Sequence, residues 1–236
     1  MKTRIGIGTL AAVVLIGAPW AASAQDQAQV KERVQAIKEN LVQSKAALKG
    51  YEWVETTVVS RNGEEKSRVQ KRCYYGADGK LQKTPLGEPP AEAKKKGGVR
   101  GKVVAKKTAE IGEEMKEAKQ LIQSYVPPEP GKIQACQAQG KASVTPIDPG
   151  KLVRVDFKDY KKPGDVLGIE VDLAQNRLTK LSVASYLQKT DDAVTLDATL
   201  GTLEGGITYP AQIVFDVKST GIKTVIENSG YKKTGT

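Results

Sequence analysis

The sequence has 236 residues, with 37 Lys and Arg against 27 Asp and Glu, a formal net charge of +10, and no histidine. The absence of histidine excludes Ser-His-Asp and Cys-His mechanisms and removes the most common general base and metal ligand. Two cysteines are too few for a structural zinc site. Aromatic residues make up only 5% of the chain, too few for a base-stacking platform, so nucleic acid is disfavoured among the anionic partners that a basic chain invites.

The chain opens MKTRIGIGTLAAVVLIGAPWAASAQ, in which Lys2 and Arg4 precede an apolar run and Ala22-Ser23-Ala24 supplies small residues for cleavage. This pattern predicts a signal peptide over residues 1–24, an exported protein of the periplasm or medium, and a mature chain starting at Gln25. The apolar run falls short of the roughly 18 residues that mark a membrane span. No cysteine follows the cleavage site, which argues against a lipid anchor. Losing Lys2 and Arg4 lowers the formal charge only from +10 to +8, so the basic character belongs to the mature protein. Residues 25–236 are expected to form a single β-rich domain, with a basic linker and helical insertion at about 84–140.

Along residues 25–49, Val30, Val34, Ile37 and Leu41 recur at helical spacing and Gly50 follows as a stop, which predicts an amphipathic helix. Residues 51–75 are rich in β-branched and aromatic side chains around Asn62-Gly63, the pair most favoured in a two-residue hairpin turn. Two antiparallel strands are therefore expected at 51–61 and 64–75, with a short extension at 81–83. Pro85, Gly87, Pro89 and Pro90 predict a loop or linker over about 84–98. A second helix is read from Ile111, Met115, Ala118, Ile122 and Tyr125, ending at Pro127-Pro128. A short third helix is read at 132–139.

From residue 151 onward the period becomes two. Val153, Val155 and Phe157 alternate with Arg154, Asp156 and Lys158, Leu167, Ile169 and Val171 alternate with Gly168 and Glu170, and further segments follow at about 177–187, 193–203, 209–218 and 222–231. Short connections between successive strands imply antiparallel neighbours. The expected fold is α+β, a curved antiparallel meander of eight or more strands capped by amphipathic helices.

This order of elements resembles the periplasmic half-barrel group that includes LolA, LolB and RseB. The segments YGADGKLQKTPLG and YVPPEPGK also resemble those of exported bacterial proteins of unassigned function. The half-barrel resemblance implies an unclosed, strongly curved sheet that holds acyl chains or a lipoprotein, so lipid or lipoprotein is the implied partner. No motif of that group falls on particular residues.

The candidate site residues are few. Cys73 and Cys136 form an even pair in an oxidising compartment; a bridge between them would stabilise the fold by about 4 kcal/mol on a chain-entropy argument, and two buried free thiols are the alternative. Lys94, Lys95, Lys96, Arg100, Lys102, Lys106 and Lys107 lie between Glu92 and Glu110 without an intervening acid. They are candidates for contact with an anionic membrane surface or cell-wall polymer, each worth up to about 1 kcal/mol, or else form a solvated linker. Trp53, beside Tyr51, Tyr74 and Tyr75, is a candidate ligand-facing aromatic. The acids at Glu113-Glu114, Asp191-Asp192 and Glu52/Glu55 would serve glycoside hydrolysis only as a pair about 5 to 10 Å apart across a cleft; Asp191-Asp192 reads as a turn and Glu113-Glu114 as an exposed helical face. Asp156, Asp159, Asp165, Asp172 and Asp197 lack calcium-loop spacing and read as strand ends or solvent-facing positions. No cofactor is expected. Two functions remain in view: a non-enzymatic protein sheltering an apolar ligand or partner segment in a curved sheet, and a cell-envelope structural protein attached to anionic surfaces. An enzyme using carboxylates alone ranks third.

Overall fold

The computed structural model describes residues 24–87 and 99–234, and the side chains of residues 32–87 and 106–234. The predicted signal peptide up to Ser23, and Lys94, Lys95 and Lys96, lie outside the described residues. Helix α1 (Ala24–Ala47) runs through a 3-10 turn into strands β1 (Tyr51–Arg61), β2 (Glu64–Tyr75) and β3 (Leu81–Leu86). Helices α2 (Val99–Tyr125) and α3 (Pro130–Ala138) follow. The chain ends in β4 (Ala142–Asp148), β5 (Leu152–Lys158), β6 (Val166–Asp172), β7 (Arg177–Tyr186), β8 (Ala193–Thr202), β9 (Thr208–Val217) and β10 (Ile222–Lys233).

The ten strands form one curved, unclosed antiparallel sheet in the order β3-β2-β1-β10-β9-β8-β7-β6-β5-β4. Every neighbour is also a neighbour in sequence except β1 and β10, which join the N-terminal hairpin to the end of the meander. That hairpin turns as its sequence requires, with Asn62 at φ 52° and Gly63 at φ 83°, the left-handed pair of a tight turn whose twist suits the strands.

The helices lie on the inner face of the sheet and pack chiefly on β5, β7, β8 and β9. There the alternate residues are sealed: Phe157, Leu167 and Val194 are 0% exposed and Val183 is 1% exposed, against Tyr125, Ile133 and Ala118 from α2 and α3. Polar ties fix the helices in place. Arg33 of α1 donates to the Leu173 carbonyl at 2.5 Å, and Ser44 accepts from the Thr208 amide at 2.8 Å. Tyr125 of α2 donates to the Asp165 carboxylate and lies 2.9 Å from Ser185 Oγ.

Asp165 departs from expectation. It is not a solvent-facing strand-end acid but 0% exposed, accepting from the Tyr125 hydroxyl and from the amides of Lys161 and Lys162. Three donors replace its hydration shell, which is what burial of a carboxylate demands.

The two free edges of the sheet carry the other departures. β3 continues through Pro85 to Leu86, where a linker was expected, and β4 was not foreseen. Both edges are blunted in the same way. The Lys158 amide donates to the Lys141 carbonyl, and counting along the register from that pair directs the backbone of Ala142, Val144 and Pro146 outward. The Gly76 amide donates to the Lys80 carbonyl, which likewise directs Leu81, Lys83 and Pro85 outward. Each edge therefore has a proline where an N–H would otherwise invite another strand.

Helix α2 starts at Val99, inside the basic segment. Gly101 and Gly112, at a cost of about 1 kcal/mol each, do not stop a 27-residue helix whose later turns are anchored by Ala118, Ile122 and Tyr125.

Candidate functional site

The inner face divides into two halves. Register carries the face of Phe157 through Leu167, Val183, Leu196 and Phe215 to Thr224, and from Ile213 through Ile226 to Thr57 and Val69. On β9, β10, β1 and β2 this face presents Ile213, Phe215, Ile226, Thr57, Val59 and Val69, all half-buried. The contrast with the sealed positions on β5 to β8 arises because the described helices pack chiefly over β5, β7, β8 and β9, where α1 meets the start of the strand at Thr208, and little over β10, β1 and β2. Phe215 touches the closed core, so the apolar floor that the described helices leave open is continuous with it.

One end of this floor is an aromatic cluster. Trp53 stacks on Tyr231 with ring centroids 5.4 Å apart and planes 13° apart, and Tyr75 lies 6.1 Å from Trp53. Tyr209 adds a ring 4.4 Å from Tyr231; a Cβ on Gly201 would sit 2.7 Å from the Tyr209 ring, so only glycine lets that ring lie over β8. The Trp53 indole N–H donates to Asn228 Oδ1 at 3.0 Å, leaving the half-buried indole fixed. Tyr51 edges onto Tyr231. Tyr74, grouped with these in sequence, pairs with Glu52 on the opposite face and sits under the Arg72 guanidinium instead. Tyr209 and Tyr231, more than 130 residues from Trp53 in sequence, join only because β10 pairs with β1. Burial pushes the Tyr231 and Tyr75 hydroxyls above the usual tyrosine range.

Beside the aromatics lie three charged residues. Glu55 is buried with its side chain 12% exposed, and it pairs with Lys83 of β3. Lys71 stands directly opposite Glu55 on β2, is half-buried, and forms no ion pair among the described residues. Cys73 lies next along β2, 0% exposed. Burial first, then the nearby Glu55 charge, pushes its thiol up to about 11.

The structure does not bring Cys73 and Cys136 together. Both are free and buried. Cys136 sits on α3 near the Lys158 carbonyl of β5, while Cys73 is on β2, and β1, β10, β9, β8, β7 and β6 lie between β2 and β5 in the sheet. Of the basic segment, Lys106 and Lys107 are exposed on α2, and Arg100 and Lys102 belong to its first turns. Glu113 pairs with Lys116, and Asp192 accepts from the Lys189 amide in its turn. No cluster of potential metal ligands occurs among the described residues, and no helix among them is long and apolar enough to cross a membrane.

The outer face holds a depression of about 380 Å³ over β5 to β8. Arg154 fills part of it, donating to Asp156 at 2.8 Å, Glu170 at 3.0 Å and Ser182 at 3.0 Å. A Cβ on Gly168 would collide with Arg154 and Ser182, so glycine there lets the guanidinium lie flat on the sheet. These charges compensate one another, as in a structural ion-pair network.

No protein-family model matches the sequence, and no curated protein matches it. Among solved structures, the chain is similar to a DUF1329 family protein from Desulfovibrio piger ATCC 29098, with 11% identity over 85% of this chain and 93% of that one and a TM-score of 0.34. It is also similar to a LolA superfamily protein from Nitrosomonas europaea, with 8% identity over 85% of this chain and 94% of that one and a TM-score of 0.36.

Proposed function

We propose that this is an exported, non-enzymatic binding protein that shelters an apolar ligand, or an extended apolar segment of a partner, on the uncovered half of its concave face. The observation that carries this reading is the half-buried row of Ile213, Phe215, Ile226, Thr57, Val59 and Val69, continuous with a core sealed elsewhere by helices. An apolar surface recessed in a curved sheet gains free energy, at about 25 cal/mol per Å², from whatever covers it. The fixed aromatic end, with Trp53 at its margin, adds a boundary that a chain-like ligand meets end on.

The test is titration with N-phenyl-1-naphthylamine, a neutral dye that brightens in apolar surroundings. The wild type is expected to give saturable enhancement. Ile226→Glu places an unpaired carboxylate on the floor and should weaken the dye by about tenfold or more. Val225→Glu, one residue along and facing the other way, should not. Equal binding by both variants would refute the reading.

A second reading, attachment to an anionic surface through the basic segment, draws its support from the exposure of Lys106 and Lys107 near the start of α2. Replacing both by Gln, with Lys94, Lys95, Lys96, Arg100 and Lys102, should abolish salt-sensitive sedimentation with anionic vesicles while leaving thermal stability unchanged. Equal sedimentation of wild type and variant at low salt would refute it.

A further inference from the structure

The apolar floor ends in an imbalance of charge. Among the described residues three charged side chains, Glu55, Lys71 and Lys83, face the concave side beside it, two positive and one negative. The acid of the three is already engaged, because Glu55 pairs with Lys83. Lys71 stands half-buried between Glu55 on β1 and Pro85 on β3, with Val69 and Cys73 as its neighbours along the strand. Among the described residues no acid is left to form an ion pair with Lys71, since its cross-strand neighbour Glu55 is taken by Lys83.

We propose that the occupant of the concave face is a single-chain amphiphile with an anionic head, its carboxylate or equivalent group meeting the Lys71 ammonium and its tail lying along Val69, Thr57, Ile226 and Phe215. The proposal rests on the apolar-ligand reading above and adds the sign of the head and its seat. The dimensions agree. From Lys71 on β2 to Ile213 on β9, two residues before Phe215, the path crosses β1 and β10, three strand spacings or about 14 Å across and about 7 Å along the strand, roughly 16 Å in all, which is the reach of a medium-length acyl chain. A cation at one end and a half-open apolar floor at the other give the ligand one orientation. The charge-assisted contact adds specificity to an apolar surface that cannot by itself tell one chain from another.

The experiment compares displacement of N-phenyl-1-naphthylamine by dodecanoate and by 1-dodecanol, which share a chain and differ in the head. The wild type should prefer dodecanoate by about tenfold, the factor expected of one partly desolvated charge-assisted hydrogen bond. Lys71→Met should erase the preference while leaving dodecanol affinity and thermal stability as they were. Lys71→Arg should retain it, and Lys158→Met, on the opposite face of β5, should retain it too. Equal affinities for the two probes in the wild type, or a preference that survives in Lys71→Met, would overturn the anionic-head assignment while leaving apolar binding intact. Failure of both probes to displace the dye, or of the dye to bind, would overturn the underlying reading and this assignment with it.

Discussion

Tyr125 of α2 donates its hydroxyl hydrogen to the carboxylate of Asp165, a residue 40 positions away that is fully buried at the entry to β6. Ser185 of β7 completes the arrangement at 2.9 Å from the same hydroxyl. One phenol thus ties the helix that closes half of the concave face to two strands beneath it. Tyr125→Phe leaves Asp165 short of one donor and Ser185 short of one partner, and should lower unfolding free energy by about 2 kcal/mol. Asp165→Ala, which strands the Tyr125 hydroxyl and two amides together, should cost more. Urea denaturation of the two variants checks the order; an unchanged midpoint in Tyr125→Phe would show that the tie carries no stability.

Alkali should destabilise the protein from about pH 9 upward. Burial raises the folded thiol of Cys73 from its ordinary 9.0 to about 11 and the hydroxyl of Tyr160 from 10.0 to about 12. Between the ordinary and the raised values the unfolded chain has released protons that the folded one keeps, so stability is full below pH 9 and falls as pH rises through these windows. Cys73 alone accounts for a loss of about 2 kcal/mol across its window. Urea midpoints at pH 8 and pH 10.5 should differ in that direction, and Cys73→Ala should shrink the difference. A midpoint that is flat or rising over this interval would contradict the burial of both groups.

Both thiols should remain free in an oxidising medium. Alkylation in denaturant without reductant should add two labels per chain, and native protein should react slowly because Cys73 is 0% exposed and Cys136 is 4% exposed. A chain that takes no label until reduced would mean that β2 and α3 approach one another in some other arrangement.

The edge prolines should keep the sheet from growing. Pro85→Thr combined with Pro146→Thr restores an outward N–H on β3 and on β4, beside the exposed Leu81, Leu86, Val144 and Ile147. Light scattering should show concentration-dependent association of the double variant beyond that of the wild type. Identical behaviour would mean that the exposed charges and the shortness of the edges suffice.

Much of the fold was legible because each signal was local. Alternation located β5 through β10, the Asn62-Gly63 turn set the first hairpin, and the helical stripe ending at Pro127 placed α2 and its buried face. β4 was missed because an edge strand exposed along nearly its whole length has no apolar face to alternate. The first turns of α2, residues 99–110, were not read as helix because the apolar stripe that marks it begins at Ile111, and packing along that later stripe holds the earlier turns. The site was only partly legible. Trp53, Tyr51 and Tyr75 were identified together, but Tyr209 and Tyr231 reach them through the pairing of β1 with β10, which no short-range pattern encodes. The burial of Asp165 and the isolation of Lys71 likewise depend on which strands become neighbours.

The proposed seat of an apolar ligand is the half of the concave face that the described helices leave open, and paramagnetic broadening measures its occupancy most directly. With 15N-labelled protein and the methyl ester of a doxyl-labelled stearic acid, the amides of Val69, Thr57, Ile226, Ile213 and Phe215 should lose intensity first. Those around Arg154 and Ser182, which serve the outer face, should keep theirs. Broadening centred on the outer face, or spread evenly over the molecule, would contradict the account.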